Sequence, residues 1–498
     1  MDAYDYIVVG AGISGMTSAL LLAKYGHKVA LVEAFALPGP TVRGFSRQGV
    51  HFETGIHLIG GLGEGDPLDI YFKHLEIRDE LVNIPFKEDG CDCFRFEKKN
   101  IQVCLPYGYE RVHRTLEKAF PSEKKAIGKY LERIRNIFNS SAFLNFDLDF
   151  SHDDLAHKET ESLREYLDSL TDNQELKDLF CCHTLLYGTS PDQAMLSTHA
   201  LVAGSYFLSS HTIEGGGKAL VNAYLKQLQK HGVDIFCGKK VIRINHDIDK
   251  NFKSLVLDGG DELRSKICIW SAHPASMLSC TEDGAFRPVF KRRINELQET
   301  VSALILFGIA TTPVETLQGR NIYLWPGSDY SKVLSGKTEM TENAIFLSAG
   351  QTLGSKGRQS ITAIMPCNFD RFSKWKDSGL CNRPQEYINF KVKLMSKFEK
   401  QVFSRCPELN NNVKFVDMAT PLTLRDYTLS PYGSMYGAAH TMSQYNPLPA
   451  TKINGLLLAG QSIVAPGVMG AVVSAYLTCG FICGHEKLHE ELRCIYNA

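Results

Sequence analysis

The sequence predicts an α/β protein built on a parallel sheet, and three observations near its start carry that prediction. Tyr6 to Val9 is a short apolar run of the kind that forms a buried strand, and Lys28 to Glu33 is a second. Ser14 to Tyr25, which lies between them, has apolar residues at helical spacing. A strand, a helix and a second parallel strand in this order predict a βαβ unit.

Three glycines fill the turn between the first predicted strand and the helix, in the stretch VVGAGISG. Gly10 permits a tight turn, Gly12 leaves room for the backbone to approach a pyrophosphate, and Gly15 lets the helix pack closely on the strand. Phosphates then lie over the helix N-terminus. The alternative is a glycine-rich turn without a ligand, and the complete βαβ setting favours the nucleotide site.

Glu33 ends the second predicted strand. A carboxylate at this position accepts hydrogen bonds from both hydroxyls of an adenosine ribose, whereas it would repel a 2′-phosphate. The N-terminal unit therefore predicts a dinucleotide that has no 2′-phosphate.

The composition is that of an ordinary globular protein. The chain has 498 residues, 44% of them apolar, which is enough for two or more sub-domains with cores of their own. Its 54 basic and 55 acidic side chains give a net charge of −1, and no basic stripe is interleaved with aromatic residues. Nucleic acid is therefore not an expected partner.

The 14 cysteines are dispersed and form no C-x-x-C pair. This pattern predicts reduced thiols in a cytosol-like compartment, rather than a disulfide framework or a zinc site, and we expect no metal. The first strand begins close to Met1, which leaves no room for a signal or transit peptide. We therefore expect a cytoplasmic protein.

Gly455 to Gly484 carries no charge and is long enough to cross a membrane. Its glycines and Pro466 divide it into a strand, a loop and a helix, and a lipid-exposed span tolerates such interruptions poorly. We expect this segment to be buried core.

The remaining elements predict a discontinuous arrangement. Glu110 to Leu208 is mainly helical in pattern, and strands return after it. Ala36 to Gly65 is a glycine-punctuated loop and hairpin, in which Arg43 and Arg47 either lie along a cofactor or are merely solvated. The N-terminal unit, the region from Gly215 to Pro274 and the C-terminal segment are expected to form one dinucleotide-binding domain, and the intervening pieces the other.

Four stretches together resemble one known family. They are VVGAGISG with Glu33, GVHFETGIHLIGG, HTIEGGGKALVNAYLKQLQKHGVDIFCGKKVIRI and GLLLAGQSIVAPGVMGA. On these stretches the chain is similar, nearly end to end, to the FAD-dependent carotenoid desaturase, carotenoid isomerase and retinol saturase family. The retinol saturase branch is the most similar, because it carries counterparts of Thr54 to His57, of Leu185 to Pro191 and of the run PLTLRDYTLSPYGSMYG.

This resemblance implies a Rossmann-type, glutathione-reductase-like FAD-binding domain that is discontinuous in sequence, with a mixed α+β substrate domain and a helical insertion. The implied boundaries are 1–60, 208–282 and 416–498 for the FAD-binding domain, 61–107 and 283–415 for the substrate domain, and 108–207 for the helical insertion or lid. The residues that match the family's cofactor motifs are Gly10, Gly12, Ile13, Ser14 and Gly15 at the pyrophosphate, Glu33 and Ala34 at the ribose, Arg43 along the cofactor, Val241 at the adenine, and Gly460, Gln461, Val468 and Met469 beside the ribityl chain and isoalloxazine. A helix from about Gly470 is expected to direct its positive end at the flavin.

The chain departs from the family pattern at two positions. Gly39-Pro40 stands where the family has a glycine pair, which argues against a close approach of the backbone to phosphate there. Ser462 stands where the saturase branch has an acid. A serine can hydrogen-bond a ribityl hydroxyl but supplies no charge, so the flavin potential is expected to differ.

The chain contains no GxSxG, no HExxH and no cluster of carboxylates. The resemblance implies chemistry at the carbon-carbon double bonds of an apolar polyene or isoprenoid, by saturation, desaturation or cis-trans isomerisation, in which the protein positions the substrate and excludes water. His57 is the first candidate for a catalytic group, as a proton donor or orienting group, and Tyr436 is the second. A histidine hydrogen-bonded within a buried hairpin is the alternative for His57.

Only one glycine motif lies in a βαβ unit, because GGLGEG at Gly60 to Gly65 follows no suitable strand. An external electron donor or acceptor is therefore expected.

Four phenylalanines lie close together in sequence: Phe138, Phe143, Phe146 and Phe150. We expect them to line a hydrophobic tunnel, to make a peripheral membrane contact or to be part of the core. The alternative functions are a flavin amine oxidase and a non-catalytic prenyl-lipid escort protein.

Overall fold

The computed structural model describes residues 4–151, 161–327 and 329–498, and it is an α/β protein as the sequence predicts. The N-terminal part is mainly strands. Its elements are β1 (Tyr6–Val9), α1 (Ile13–Lys24), β2 (Val29–Glu33), β3 (Phe45–Arg47), β4 (Val50–Phe52), β5 (Ile59–Gly60), α2 (Pro67–His74), β6 (Asn83–Pro85), β7 (Asp92–Phe96) and β8 (Ile101–Leu105).

The middle of the chain begins with a run of helices and continues with short strands. Its elements are α3 (Tyr109–Ala119), α4 (Lys124–Asn139), α5 (Leu163–Leu170), α6 (Gln174–Phe180), α7 (Leu196–Leu208), β9 (Ser210–Ile213), α8 (Gly216–Lys230), β10 (Asp234–Cys237), β11 (Val241–His246), β12 (Phe252–Leu257), β13 (Glu262–Arg264), β14 (Ile267–Trp270) and α9 (Pro274–Ser279).

The C-terminal part contributes the longest strands and the last buried helix. Its elements are α10 (Pro288–Asn295), β15 (Ser302–Ala310), β16 (Asn321–Trp325), α11 (Tyr330–Leu334), β17 (Ile345–Ala349), β18 (Gln359–Cys367), α12 (Gln385–Arg405), β19 (Val413–Ala419), α13 (Pro421–Thr428), β20 (Leu456–Leu458), α14 (Gly467–Cys483) and α15 (His485–Tyr496).

A five-stranded parallel sheet joins three distant parts of the chain, in the order β10-β2-β1-β14-β20. Helix α1 links β1 to β2 and packs against α8 and α14. The βαβ unit is therefore present as predicted. Because all five strands run parallel, their carboxyl ends meet at one edge, where such sheets bind ligands. The domain boundaries stay a prediction.

A seven-stranded mixed sheet, in the order β19-β15-β18-β17-β16-β7-β8, forms the second large layer. Helices α3 to α7 share a buried core with β7, β8 and β16 on one side of this sheet. A second core packs α12 against the strands of the same sheet. The helical run predicted between Glu110 and Leu208 is therefore a separate layer that covers part of the mixed sheet.

The uncharged segment from Gly455 to Gly484 is a strand, a loop and a helix, as predicted: β20 is followed by a turn and then by α14. Most of this segment is buried. Within the part of the chain that the structure describes, no helix is both long enough and apolar enough to cross a membrane.

The prediction that all the cysteines are reduced thiols is wrong for one pair. Cys93 on β7 and Cys104 on β8 form a disulfide, because the antiparallel hairpin places these two residues directly opposite each other. Their spacing in sequence gave no sign of this pairing. Disulfides are rare in cytosolic proteins, so the cysteines no longer support the cytoplasmic expectation.

Candidate active site

The glycine turn lies at the carboxyl end of β1, and each of its glycines has a different environment. Gly10 has a φ of +96°, a left-handed backbone that side chains rarely adopt. A Cβ on Gly15 would lie 1.8 Å from the Gly10 carbonyl oxygen, so only glycine permits α1 to pack this closely on the turn. A Cβ on Gly12 would meet no atom within 4 Å. The Gly12 side of the turn is therefore open space at the start of α1.

Glu33 lies at the carboxyl end of β2, beside the same turn, and is buried. Its Oε2 accepts a hydrogen bond from Ala11 N (2.7 Å) and its Oε1 accepts one from Phe35 N (2.9 Å). Burial raises the pKa of the Glu33 carboxyl, while these hydrogen bonds and the charge of Arg43 act in the opposite direction. The carboxylate is therefore fixed in position next to the open side of the glycine turn.

The loop after β2 returns to the glycine turn and brings Arg43 with it. Gly39 N donates to Ala11 O at 2.8 Å, so the Gly39-Pro40 segment meets the turn through its own backbone. Arg43 Nη1 is buried and has no hydrogen-bond partner among the described residues. A buried guanidinium nitrogen without a partner is costly, and a phosphate or flavin oxygen would satisfy it.

The start of β11 and the C-terminal motif lie near the same edge. Lys239 N donates to Glu33 O (3.0 Å), which brings the residues before Val241 to the end of β2. Gly460 follows β20 with a φ of +114°, and a Cβ there would lie 3.1 Å from Ser271 O. Ser271 Oγ donates to Gly10 O at 3.0 Å. Ser271 therefore connects the N-terminal and C-terminal glycine motifs.

Gln461 and Ser462 are held by a neighbouring loop. His440 Nε2 lies 2.8 Å from Gln461 O, and Ser462 Oγ accepts a hydrogen bond from Ala438 N at 3.2 Å. The Ser462 hydroxyl keeps a proton to donate. Helix α14 then begins at Gly467, slightly earlier than the sequence predicts.

These features fit a dinucleotide with no 2′-phosphate. The open side of Gly12, the buried Glu33 carboxylate and the unpartnered Arg43 nitrogen lie around the carboxyl ends of β1 and β2. Ile13 and Ser14 open α1, and Ala34 directly follows Glu33. The residues present can therefore hold the pyrophosphate and the ribose of FAD.

A cavity of about 1040 Å³ begins beside α14 and extends between the helical layer and the mixed sheet. Val468 and Met469 line it, whereas Gly460 and Gln461 do not. No Asp, Glu or Lys side chain is among the described residues that line the cavity, and Arg133 is the one arginine. Representative apolar walls are Ile137, Leu144, Leu186, Leu201, Val464 and Leu477.

His57 lines this cavity from the segment that joins β4 to β5. Its ring meets the edge of Phe346 with centroids 5.7 Å apart, and neither ring nitrogen has a hydrogen-bond partner among the described residues. The hydrogen-bonded alternative for this histidine is therefore not what the structure contains. Burial lowers the pKa of His57 to about 4, against the opposing effect of Glu53, so the ring is neutral at neutral pH.

Tyr436 also lines the cavity, from the loop between α13 and β20. Its Oη donates to Leu185 O at 3.2 Å, and its backbone N donates to Thr300 Oγ1 at 3.0 Å. Burial raises the pKa of the Tyr436 phenol, so the hydroxyl keeps its proton. The structure thus brings both predicted catalytic candidates to one cavity.

Two tyrosines are among the polar cavity residues that sequence reasoning missed. Tyr206 on α7 and Tyr323 on β16 line the cavity, and the buried Tyr323 Oη has no partner among the described residues. Burial raises the pKa of both phenols. No local pattern marks either tyrosine, because the pairing of β16 with β7 and β17 that brings Tyr323 here is long-range.

The phenylalanine cluster is divided between the core and the cavity. Phe138 and Phe146 are buried in the core, and Phe143 lines the cavity. Phe150 stacks on His485 with ring centroids 5.3 Å apart. The core interpretation therefore holds for two of the four rings, and the tunnel interpretation for one.

Comparisons with known proteins agree with this geometry. The family model described as flavin containing amine oxidoreductase matches residues 13–482. The chain is 27% identical to an all-trans-retinol 13,14-reductase of Danio rerio over 98% of this chain and 87% of that protein. It is 22% identical to a prolycopene isomerase of Daucus carota, over 97% and 80% of the two chains. The predicted resemblance to the carotenoid isomerase and retinol saturase family is confirmed.

A solved structure shares the fold at low identity. An oxidoreductase of Methanosarcina mazei superposes with a TM-score of 0.65 at 15% identity, covering 94% of this chain and 98% of the other. The fold prediction is confirmed. The chain belongs to the family of flavin containing amine oxidoreductases, and FAD is its cofactor.

Proposed function

We propose that the protein is an FAD-dependent oxidoreductase that acts on carbon-carbon double bonds of an apolar polyene or isoprenoid, by saturation, desaturation or cis-trans isomerisation. The names of its relatives, a retinol 13,14-reductase and a prolycopene isomerase, support this substrate class. The residues that we propose to hold FAD are Gly10, Gly12, Ile13, Ser14, Gly15, Glu33, Ala34, Arg43, Val241, Gly460, Gln461, Val468 and Met469.

The large cavity is the observation that carries the proposal. Its volume of about 1040 Å³ is at the upper end of ligand pockets, which suits a long molecule. Its walls are mainly apolar, so binding would be driven by buried apolar area at about 25 cal/mol per Å². A cationic amine would need a carboxylate or an aromatic cage: no described lining residue carries a carboxylate, whereas Tyr206, Tyr323, Phe346 and Tyr436 are aromatic. The volume and the mainly apolar walls suit a polyene, and the competition panel below separates the polyene from the amine.

Bound FAD would exchange a hydride with a carbon atom of the substrate. The side chains of the protein exclude water, transfer a proton and orient the reacting groups. The apolar walls exclude water from the reacting carbons, and the neutral His57 ring can accept a proton there or, once protonated, donate one. Tyr436 offers a phenol to the same space, and its hydrogen bond to Leu185 O fixes the orientation of that phenol. His57 and Tyr436 are the proposed catalytic residues.

Electron exchange with an external donor or acceptor is part of this proposal. The segment from Gly60 to Gly65 begins at the last residue of β5, a two-residue strand that pairs antiparallel with β9. This setting differs from the βαβ unit around Gly10, so it offers no nicotinamide site.

Peripheral contact with a membrane, from the cytoplasmic side, is also proposed. Leu448 and Phe481 line the cavity while keeping 70% and 51% of their surfaces exposed. Two large exposed apolar side chains at a cavity mouth suit an apolar substrate that leaves a lipid surface.

A competition panel tests the substrate class. FAD-loaded protein would be titrated with polyenes, polar amines and amino acids while the flavin absorbance spectrum is recorded. We expect polyenes to perturb the spectrum at low concentration. Perturbation by amines and not by polyenes would replace the proposal with the amine-oxidase alternative, and protein that cannot be loaded with FAD would favour the lipid escort protein.

A further inference from the structure

A second cavity reaches His57 and differs from the first in chemistry. It has a volume of about 190 Å³, and most of the residues that line it have polar side chains. Among the described residues, His57 alone lines both cavities. His57 therefore separates a small polar space from a large apolar one.

The small cavity runs from the protein surface inward, and we call it the polar passage. Ser46, Lys218 and Thr352 line it and are exposed, whereas Thr212 and Thr362 line it and are buried. Hydroxyl groups and a volume of this size can hold several water molecules, because each water needs two to four polar partners. The passage can therefore connect bulk solvent with His57.

Besides Lys218 and His57, two titratable side chains line the passage: His51 and Glu53. His51 Nδ1 lies 3.3 Å from Ser46 Oγ, and His51 Nε2 lies 3.3 Å from Glu53 Oε1. Glu53 Oε2 accepts a hydrogen bond from Gly217 N at 2.9 Å, which fixes the carboxylate at the start of α8. The charge of Glu53 raises the pKa of His57, against the larger effect of burial. Ser46, His51 and Glu53 thus form a polar series that leads from the exposed end toward His57.

We propose that the polar passage conducts protons between solvent and His57, with Glu53 as the relay residue. The proposal rests on the proposed function. When a double bond is reduced, its π pair is lost and two C–H bonds form, one with a hydride that bound, reduced FAD would supply and one with a proton that the His57 imidazolium donates as it becomes neutral. Glu53 and the water of the passage return a proton to His57. In the oxidative direction each transfer is reversed.

The titratable groups that line the two cavities beside His57 favour this route over the large cavity. On the passage side they are Glu53, His51 and Lys218, and on the cavity side they are the tyrosines and Arg133. The tyrosines on the cavity side are Tyr206, Tyr323 and Tyr436. Burial raises the pKa of each of these phenols, so they hold their protons, and a bound polyene would displace water from the apolar walls. Glu53 is the one carboxylate among the described residues that line either cavity.

The variant Glu53→Gln tests the relay, because glutamine keeps an oxygen for Gly217 N but has no titratable carboxyl group to accept and return a proton. Asp66→Asn is the matched control: Asp66 is a partly buried carboxylate that accepts a hydrogen bond from Gly63 N at 2.8 Å and lines neither cavity. Two quantities are measured in FAD-loaded protein. One is the single-turnover rate of polyene conversion, in H₂O and D₂O from pH 6 to 9. The other is the rate at which the His57 ring N–H exchanges with water, from NMR of ¹⁵N-histidine assigned with His57→Gln.

We expect Glu53→Gln to slow turnover by about tenfold or more, to enlarge the solvent deuterium effect and to slow His57 exchange, with FAD content unchanged. Asp66→Asn should stay within about twofold of the wild type. If Glu53→Gln matches Asp66→Asn in turnover and in exchange, the relay is overturned. If the wild type converts no polyene, the proposed function fails, and the exchange rates alone decide whether Glu53 conducts protons to His57.

Discussion

At the scale of single residues, Gly12 and Gly15 belong to one motif but have opposite constraints. A side chain on Gly12 enters open space, and one on Gly15 collides with the Gly10 carbonyl. We predict that Gly12→Val folds normally and loses FAD, because the branched side chain takes the volume of the pyrophosphate. Flavin content and the thermal unfolding midpoint of the apoprotein are the measurements.

The same substitution at Gly15 should destabilise the fold, in contrast to Gly12→Val. Its Cβ would lie 1.8 Å from a backbone oxygen, so α1 must move and the apoprotein must lose stability. Normal FAD occupancy in Gly12→Val would contradict the assignment of the glycine turn to the cofactor.

A second prediction at the scale of single residues concerns the role of Glu33 in FAD binding. Glu33→Ala should weaken FAD binding by about 1 to 3 kcal/mol, because charge-assisted hydrogen bonds to the ribose are lost. The dissociation constant of FAD from the apoprotein measures this. The same variant frees Ala11 N and Phe35 N, so the stability of the apoprotein must be recorded beside it. An unchanged dissociation constant would mean that another residue holds the ribose.

At the scale of elements, His199 joins α7 to its neighbours. Its Nε2 lies 2.8 Å from Tyr130 Oη on α4, and its Nδ1 lies 3.0 Å from Tyr187 Oη. His199→Phe keeps a ring and leaves these two buried hydroxyls without the imidazole. We predict a loss of about 2 to 4 kcal/mol in the free energy of unfolding, measured by denaturant titration. A comparable loss in His27→Phe, which alters a half-exposed ring, would contradict this explanation.

The lowered pKa of His199 predicts that the free energy of unfolding depends on pH. Burial lowers the pKa of His199 to about 3 in the native state, and an unfolded histidine has a pKa of about 6.5. Between these values the unfolded chain binds the additional proton, so the free energy of unfolding falls as the pH falls from about 6.5 toward 3. His199→Phe should reduce this slope. Denaturant titrations of both proteins at several pH values in this window measure the difference, and equal slopes would refute the prediction.

The elements that the sequence predicts well are those specified locally. The βαβ unit depends on the spacing of apolar residues and glycines within one short segment, and its hydrogen bonds form within that segment. The cavity wall at Tyr323 depends instead on pairing between strands that are distant in sequence, β16 and β7. The β7-β8 hairpin is local, but its Cys93–Cys104 disulfide depends on the register in which the two strands pair. The apolar pattern specifies neither that register nor which distant strands become neighbours, so the disulfide and the cavity wall at Tyr323 were not predicted.

At the scale of the whole molecule, the mouth of the large cavity is where an apolar substrate must enter. Replacing Leu448 and Phe481 together by aspartate should reduce co-flotation with phosphatidylcholine vesicles about tenfold or more, since each apolar side chain contributes about 1.5 to 3 kcal/mol when it leaves water. Ile248→Asp is the control, because Ile248 is 97% exposed and does not line the cavity. Equal flotation of both variants and the wild type would contradict the membrane proposal.

Anaerobic single turnover decides whether this protein uses FAD to change the double bonds of a polyene. Protein with reduced or oxidised FAD would be mixed with a polyene, and the flavin absorbance and the product mass would be recorded. We expect a product that gains two hydrogens as the flavin is oxidised, a product that loses two as it is reduced, or a geometric isomer of unchanged mass. An unchanged polyene in both redox states, with an amine oxidised by the same preparation, would show that the protein is an amine oxidase and does not convert polyenes.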